Sequence, residues 1–261
     1  VIERWGRKRF AIGWTMTVVI ALMAVLPPLA AVLQAFRAPQ AEQWSPGSFQ
    51  YVIETYGGCL LFSLRLAAFV SLASLVIGVP AAYAFALHPF RGSAAIEQLA
   101  AVPLALPGVS VAIAVIVGYA QLRGNWLLLA GGQMLYTVPY AVRVVANTLR
   151  NVPLRTLEDV ARTLGAHGMV RFRHVVAPLL VRPVVLASLI VFALSWGEFN
   201  VSFLLATPTQ MPFAAALYGT YTSSSGAVSG AATAIFLAGA LPLLVALQLL
   251  ERRPFDFGQG V

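Results

Sequence analysis

Residues 157–178 read LEDVARTLGAHGMVRFRHVVAP, a polar, arginine-bearing stretch in a chain that is otherwise oily. Asn151-Val152-Pro153 breaks the apolar run before it. Over 154–164 the spacing is helical, with Leu154, Leu157, Ala161 and Leu164 on one face. Arg155, Glu158, Asp159 and Arg162 cover much of the rest, and Glu158 and Arg162 stand four apart in the favourable order for a helix pair. Gly165 and Gly168 bracket Ala166-His167, where the chain can turn sharply. A second short helix is expected over 169–176, and Pro178 then opens the next apolar run near a first-turn position that needs no amide hydrogen. A structured polar elbow of this kind implies a docking site for another protein.

The surroundings are built for lipid. Of 261 residues, 59% are hydrophobic and 10% charged, where a soluble domain carries about 25% charged residues. A helix needs roughly 20 apolar residues to cross the hydrocarbon core. Six runs qualify: 10–36, 59–87, 96–122, 126–149, 179–205 and 227–250. The first is too long for the core of a signal peptide, and further spans follow it. The expected fold is therefore an all-α integral membrane protein of six transmembrane helices, with the elbow between the fourth and fifth. It reads as one transmembrane domain: 1–58 an N-terminal helix and outer loop, 59–250 the core, 150–178 the elbow within it, and 251–261 a tail.

The net charge of +8 follows topology rather than nucleic acid, because positive residues are retained on the cytoplasmic side. Arg4, Arg7, Lys8 and Arg9 precede the first span, and Arg91 follows the second. Arg150, Arg155, Arg162, Arg171, Arg173 and Arg182 surround the elbow, and Arg252 and Arg253 follow the sixth span. All fall on one side. The opposite side has Arg37 and Arg123, offset by Glu42 and Glu54. Both termini and the elbow are thus expected in the cytoplasm. On the opposite side, 38–58 is polar enough for a short interfacial helix, and 206–226, with Pro208 and Pro212, could dip back toward the membrane.

Chemistry is sparse. The single cysteine, Cys59, permits no intrachain disulfide or thiol metal cluster and reads as a packing residue. His88, His167 and His174 offer no metal set, no P-loop pattern occurs, and no catalytic constellation is legible. Small residues at Gly226, Gly230 and Ala234 suit close helix packing. Glu198 lies inside the fifth span, where a charge costs at least a few kcal/mol unless paired or hydrated. One reading pairs it with Arg143, or less readily Arg65. The other places it on a solute route with Ser195, Asn200 and Ser202, where it hints at a cationic solute. Tyr136, Thr137 and Tyr140, around Pro139, can line a path or simply pack.

The elbow resembles the "EAA" loop of bacterial ABC importer permeases, in which Glu-Ala-Ala is followed at fixed spacing by Gly, Ile and Leu-Pro. Here Asp159-Val160-Ala161, Gly165, Val175 and Ala177-Pro178 fall at those positions. SLRLAAFVSLASLVIGVPAAYAFAL at 63–87, VPLALPGVSVAIAV at 102–115 and SWGEFNVSFLL at 195–205 are similar to the same proteins. The last resembles the branch serving polyamines, ferric iron, thiamine, phosphonates and oxyanions. The resemblance implies a type I importer fold and a permease, not an enzyme, forming half of a translocation pathway. It implies as partners a second permease, identical or homologous, a cytoplasmic ATPase dimer carrying ATP and Mg, and an extracytoplasmic solute-binding protein. No cofactor is expected in this chain. It further implies that Glu158, Asp159, Ala161, Arg162, Gly165, Ala166, His167 and Gly168 couple to the ATPase. The polar residues of the spans, read by themselves, make Glu198, Ser195, Asn200, Ser202, Tyr140 and Thr137 the candidates for the path or a gate.

The rival reading is a secondary transporter driven by an ion gradient through Glu198 and Arg143, which would show symmetry between halves; the chain shows none. A membrane scaffold without transport would leave the polar residues of the fifth span unexplained. If the elbow couples to a motor, Gly165→Asp abolishes solute uptake while membrane insertion stays normal. Uptake assays beside immunoblots of membrane fractions check this, and full uptake by the variant would sink the docking idea.

Overall fold

The computed structural model describes residues 2–37, 45–87 and 89–251. The sequence features at Glu42, His88, Arg252 and Arg253, the tail 252–261 and the side chains of the N-terminal basic cluster lie outside the described residues. The described chain is helical, with no strand beyond an isolated bridge between Thr207 and Gln210. In order come α1 (Ile2–Ala35), α2 (Gly47–Leu87), α3 (Ser93–Ala100), α4 (Gly108–Gly118) and α5 (Trp126–Arg150). Then follow α6 (Leu154–Thr163), α7 (Gly168–Gly197), α8 (Asn200–Leu205), α9 (Phe213–Ser223) and α10 (Gly226–Glu251).

The all-α membrane architecture expected from composition is what the chain adopts. Helices satisfy every backbone group internally, which lipid demands. Four are long and apolar enough to cross a bilayer: Gly13–Ala35 within α1, α2, α7 and Gly226–Leu250 within α10. α5 spans 25 residues but carries Gln133, Thr137, Arg143 and Asn147 among its apolar side chains.

The third expected run is divided instead of continuous. α3 gives way to a 3-10 turn at Val102–Ala105, and α4 starts afresh at Gly108. Leu106 is extended (φ −90°, ψ 145°), as steric clash with a following proline requires, and that proline is Pro107.

Two boundaries also move. α2 begins at Gly47 and runs 41 residues, so the stretch expected to hold a separate interfacial helix is, from Gly47 onward, the start of α2. α7 begins at Gly168, so the short helix expected over 169–176 is its first turns and not a separate element. The join is a wide π turn at Phe172–Val176, in which the Ala177 amide reaches back five residues to the Phe172 carbonyl. A proline in a continuing helix clashes with the carbonyl four residues back. Pro178 sits directly after this turn, and widening there lets the helix pass through the proline. α7 then stops at Gly197, short of the expected 205.

The chain divides into two compact sets of segments, Val1–Gly57 with Ala216–Ala238, and Gly58–Ala215 with Gly239–Val261. In the first, Gly230 of α10 lies against the backbone of Ala31 and Ala35 in α1, and Gly226 faces Gln34. In the second, α5 is the centre. At one end its Val142, Val145, Ala146 and Leu149 pack with Ala82 and Leu87 of α2, Leu154 of α6, and Val176 and Leu180 of α7. Toward the other end Leu129, Ala130 and Ala141 pack with Leu66 and Val70 of α2, Ala112 of α4, Val191 of α7 and Val201 of α8. Lipid tails are as apolar as leucine, so close backbone approach at small residues, not hydrophobicity, drives such packing. Gly78 meets Ala141, Gly132 meets Val201, and Gly108 meets Asn200 at distances that leave no room for a Cβ.

Any side chain at position 230 collides with the Ala31 carbonyl, a backbone atom that cannot swing aside. Gly230→Val should therefore cost about 1–3 kcal/mol through overpacking. Thermal unfolding of the detergent-solubilised protein, compared with the wild type, is the check.

Candidate functional site

The elbow is α6, a tight turn and the start of α7. α6 ends in a Schellman motif: the Gly165 amide donates to the Arg162 carbonyl and the Ala166 amide to the Ala161 carbonyl, both at 3.0 Å. Gly165 has φ +82°, the left-handed conformation this motif needs and glycine adopts without strain. Arg171 closes the turn by donating to the Ala166 carbonyl at 3.2 Å. His167 and Gly168 are exposed beyond it.

The faces of α6 differ from the helical-wheel expectation. Leu154 is buried, but Leu157 is exposed and Leu164, at the tip, is 81% exposed. Val160 and Met169 are uncovered beside it. Asp159 and Arg162 point to the same open surroundings. Glu158 turns inward instead. Its carboxylate accepts a hydrogen bond from the Tyr83 hydroxyl of α2 at 2.9 Å, and the expected pair with Arg162 does not form. Arg155, beside it, donates to the carbonyl of Leu87, the last residue of α2. Arg171 lies close enough for its charge to act on the Tyr83 hydroxyl.

Other basic residues near the elbow serve as fasteners. Arg150 pairs with Glu97 of α3 at 2.6 Å. Arg182 donates to the carbonyl of Leu250 at 2.7 Å, which sets the last turn of α10 beside α7. A cation at a helix C-terminus satisfies a carbonyl that has no partner within the helix.

The polar residues of the fifth expected span form a second constellation. The chain breaks between α7 and α8, and Glu198 is extended there. Its carboxylate accepts the amide of Val201 at 2.9 Å and the amide of Ser202 at 2.8 Å, with the Ser202 hydroxyl at 3.1 Å. The charge is thus held by the N-terminus of α8, where the helix dipole and its orphan amides favour an anion. Arg143 does not pair with it. The Ser202 hydroxyl also accepts from Gln133 of α5 at 3.1 Å, and the oxygen of the same amide accepts from Ser195 of α7. One buried amide therefore ties three helices. Thr137 extends the set, donating to the Gln133 carbonyl and meeting Ser74 of α2 at 2.8 Å.

Thus Ser195, Ser202 and Thr137 come together as buried residues, with Glu198 half-buried at their edge. Asn200 packs against Gly108, and Tyr140 stands apart on the exposed face of α5 with Arg143 and Asn147. The hydroxyl of Tyr136 is buried without a hydrogen-bond partner, near enough to feel the charge of Glu198. Sequence reasoning missed Gln133, Ser74 and Tyr83. Gln133 had a signal, a side-chain amide among apolar neighbours in the first half of α5. A serine and a tyrosine on α2 had none, since neither is unusual in a membrane helix.

The site thus sits in an all-helical membrane domain with an exposed elbow and a polar core at a helix break. The family model for the binding-protein-dependent transport system inner membrane component matches residues 74–255, and the chain belongs to this family. PhnV of Salmonella paratyphi A, named provisionally as a 2-aminoethylphosphonate transport system permease protein, is 26% identical over 261 residues, covering 95% of this chain and 97% of its own. The sulfate transport system permease protein CysT of Salmonella typhimurium is 27% identical, covering 95% and 92%. The molybdenum transport system permease protein ModB of Escherichia coli is 27% identical, covering 71% and 88%. Among solved structures, a bacterial ABC transporter involved in import of the acidic polysaccharide alginate has the same fold, with a TM-score of 0.69 at 14% identity, covering 94% of this chain and 96% of that one. The inward-facing methionine ABC transporter MetNI matches at 0.58 and 16%, covering 73% and 92%. The chain is a permease component of an ABC importer, and the reading as an ion-driven secondary transporter falls with that.

In Glu198→Gln one acceptor oxygen becomes an NH2 group that faces either the Val201 amide or the amide and hydroxyl of Ser202. The loss is about 1–3 kcal/mol, the cost of leaving a buried donor unpaired. We expect a lower unfolding temperature in detergent and transport reduced in step with the folded fraction. Lost transport at unchanged stability would put the carboxylate on the solute path.

Proposed function

We propose that the elbow is the surface on which a cytoplasmic ABC ATPase docks, and that this chain with a second permease forms the path for a small oxyanion or phosphonate. The observation that carries the reading is the elbow's tip. Val160, Leu164 and Met169 are uncovered apolar side chains, flanked by Asp159 and Arg162, in the arginine-rich segment 150–182. Uncovered apolar groups rimmed by charge mark interaction sites. The elbow is also continuous with α7, so a push at the tip travels along a helix into the membrane.

On this reading ATP and Mg bind the partner ATPase, and closure of the ATPases draws the elbows together and reorients α7 from inward- to outward-facing. A binding protein delivers solute on the opposite face. Asp159, with Arg162 and the 165–168 turn, contacts the ATPase. Both termini share the cytoplasmic side with the elbow. The Arg182 link to Leu250 supports this, since it sets the end of α10 at the elbow's end of α7.

The solute class rests on relatives named for 2-aminoethylphosphonate, sulfate and molybdenum transport. Two features of this chain agree. Glu198, the one hint of a cationic solute, is occupied as a helix cap. Arg143 stands on the exposed stripe of α5 with Tyr140 and Asn147, and a cation there suits a path for anions.

Purified with a tag from its native membranes, the chain should carry an ABC ATPase identifiable by mass spectrometry. Leu164→Asp should lose that ATPase while inserting normally. Proteoliposomes of the complex with its binding protein should take up radiolabelled sulfate-like or phosphonate solutes on addition of ATP. An ATPase retained by the variant would refute the docking surface, and uptake of amines alone would refute the solute class.

A further inference from the structure

We infer that Tyr83 and Glu158 form a mechanical link that makes the elbow move as one body with the end of α2, so that Glu158 is a positioning residue acting within the membrane domain. The inference rests on the docking reading above.

α6 is held to α2 at three points. Leu154 is buried in the cluster that contains Ala82 and Leu87. The Arg155 guanidinium donates to the carbonyl that ends α2. One turn further along α6, the Glu158 carboxylate accepts the hydroxyl of Tyr83, which lies one turn before Leu87. The two polar ties therefore form successive rungs, Arg155 to Leu87 and Glu158 to Tyr83. Residues three apart on a helix face the same way, so Arg155 and Glu158 leave α6 on one side, and they meet α2 at its final carbonyl and one turn before it. Three separated points prevent α6 from tilting or rolling independently of the end of α2.

α6 has two further attachments, and it also packs through Leu154 against Val176 and Leu180 of α7. It joins α7 through a turn made at a glycine with φ +82°, and it joins α5 through the bend at 151–153. The side-chain hydrogen bond of Glu158 leads to a helix 75 positions away in sequence. Glu158 is well placed for this because its neighbour Asp159 faces outward. One carboxylate meets the surroundings while the other grips the membrane domain, so displacement of the outer face is delivered to α2 as well as to α7.

The rung needs a hydroxyl on Tyr83 and an acceptor oxygen at 158. Tyr83→Phe removes the first and keeps the ring. Glu158→Ala removes the second, whereas Glu158→Gln keeps an oxygen that accepts from Tyr83. The assay is solute transported per ATP hydrolysed, in proteoliposomes of the assembled complex, with bound ATPase quantified beside it. Tyr83→Phe and Glu158→Ala should each keep the ATPase bound and lower the ratio several-fold. The double variant should be no worse than either single one, because both remove the same contact. Glu158→Gln should restore most of the wild-type ratio, which a purely electrostatic or ATPase-contacting role for Glu158 would not allow. A wild-type ratio in Tyr83→Phe with the ATPase bound would overturn the link, and so would additive losses in the double variant. Failure of the docking reading is distinct, since it appears as ATPase retained by Leu164→Asp.

Discussion

Hydrocarbon offers no hydrogen bonds, so every interruption of a helix inside this protein must be repaired by the protein itself. The interruptions are where its chemistry lies. At the α7–α8 break, the amides opened by the break are met by the carboxylate of Glu198, and the charge of Glu198 is met by those amides. Either alone would be costly in lipid. Together they need no arginine, and they leave Gln133 free to bind Ser195 and Ser202 across three helices. The elbow solves the same problem at its own end, where α6 is closed by the Schellman turn and α2 by Arg155.

These repairs divide the work of the permease. The tip around Leu164 is exposed, while Glu158 and Arg155 reach back to α2. The buried chain from Ser74 through Thr137 and Gln133 to Glu198 lies further along the same helices. α5 connects the two regions, and its opposite face carries Tyr140, Arg143 and Asn147 uncovered. One helix thus contributes the core of the fold on one side and a polar stripe on the other, which explains why it is the least oily of the long helices.

Much of this was legible in the residues. The membrane class followed from composition, the elbow from its arginines and glycines, and the need for Gly165 from the turn between two helical patterns. The third span misled because its hydropathy is continuous across Pro103 and Pro107. Apolar content marks what lies in lipid but says nothing about whether the backbone runs straight. Glu198 misled in another way. A buried carboxylate invites a search for a distant arginine, whereas its donors were the amides three and four residues ahead, invisible until the break was located. The roles of Tyr83 and Gln133 depend on which helices become neighbours, and spacing along one chain does not encode that.

The wide turn at Phe172–Val176 has a consequence of its own. It inserts an extra residue relative to a regular helix, and each residue advances an α-helix by about 100°. Everything beyond Ala177 is therefore rotated by that angle from where an even coil would place it, and this phase aims Ser195 and Trp196 inward. Gaining or losing one residue here would leave oiliness and tip unaltered and shift the length by a single residue, while swinging the whole inner half of the helix to a different azimuth. So small an indel would retune the interior of the helix and leave the exposed elbow as it is.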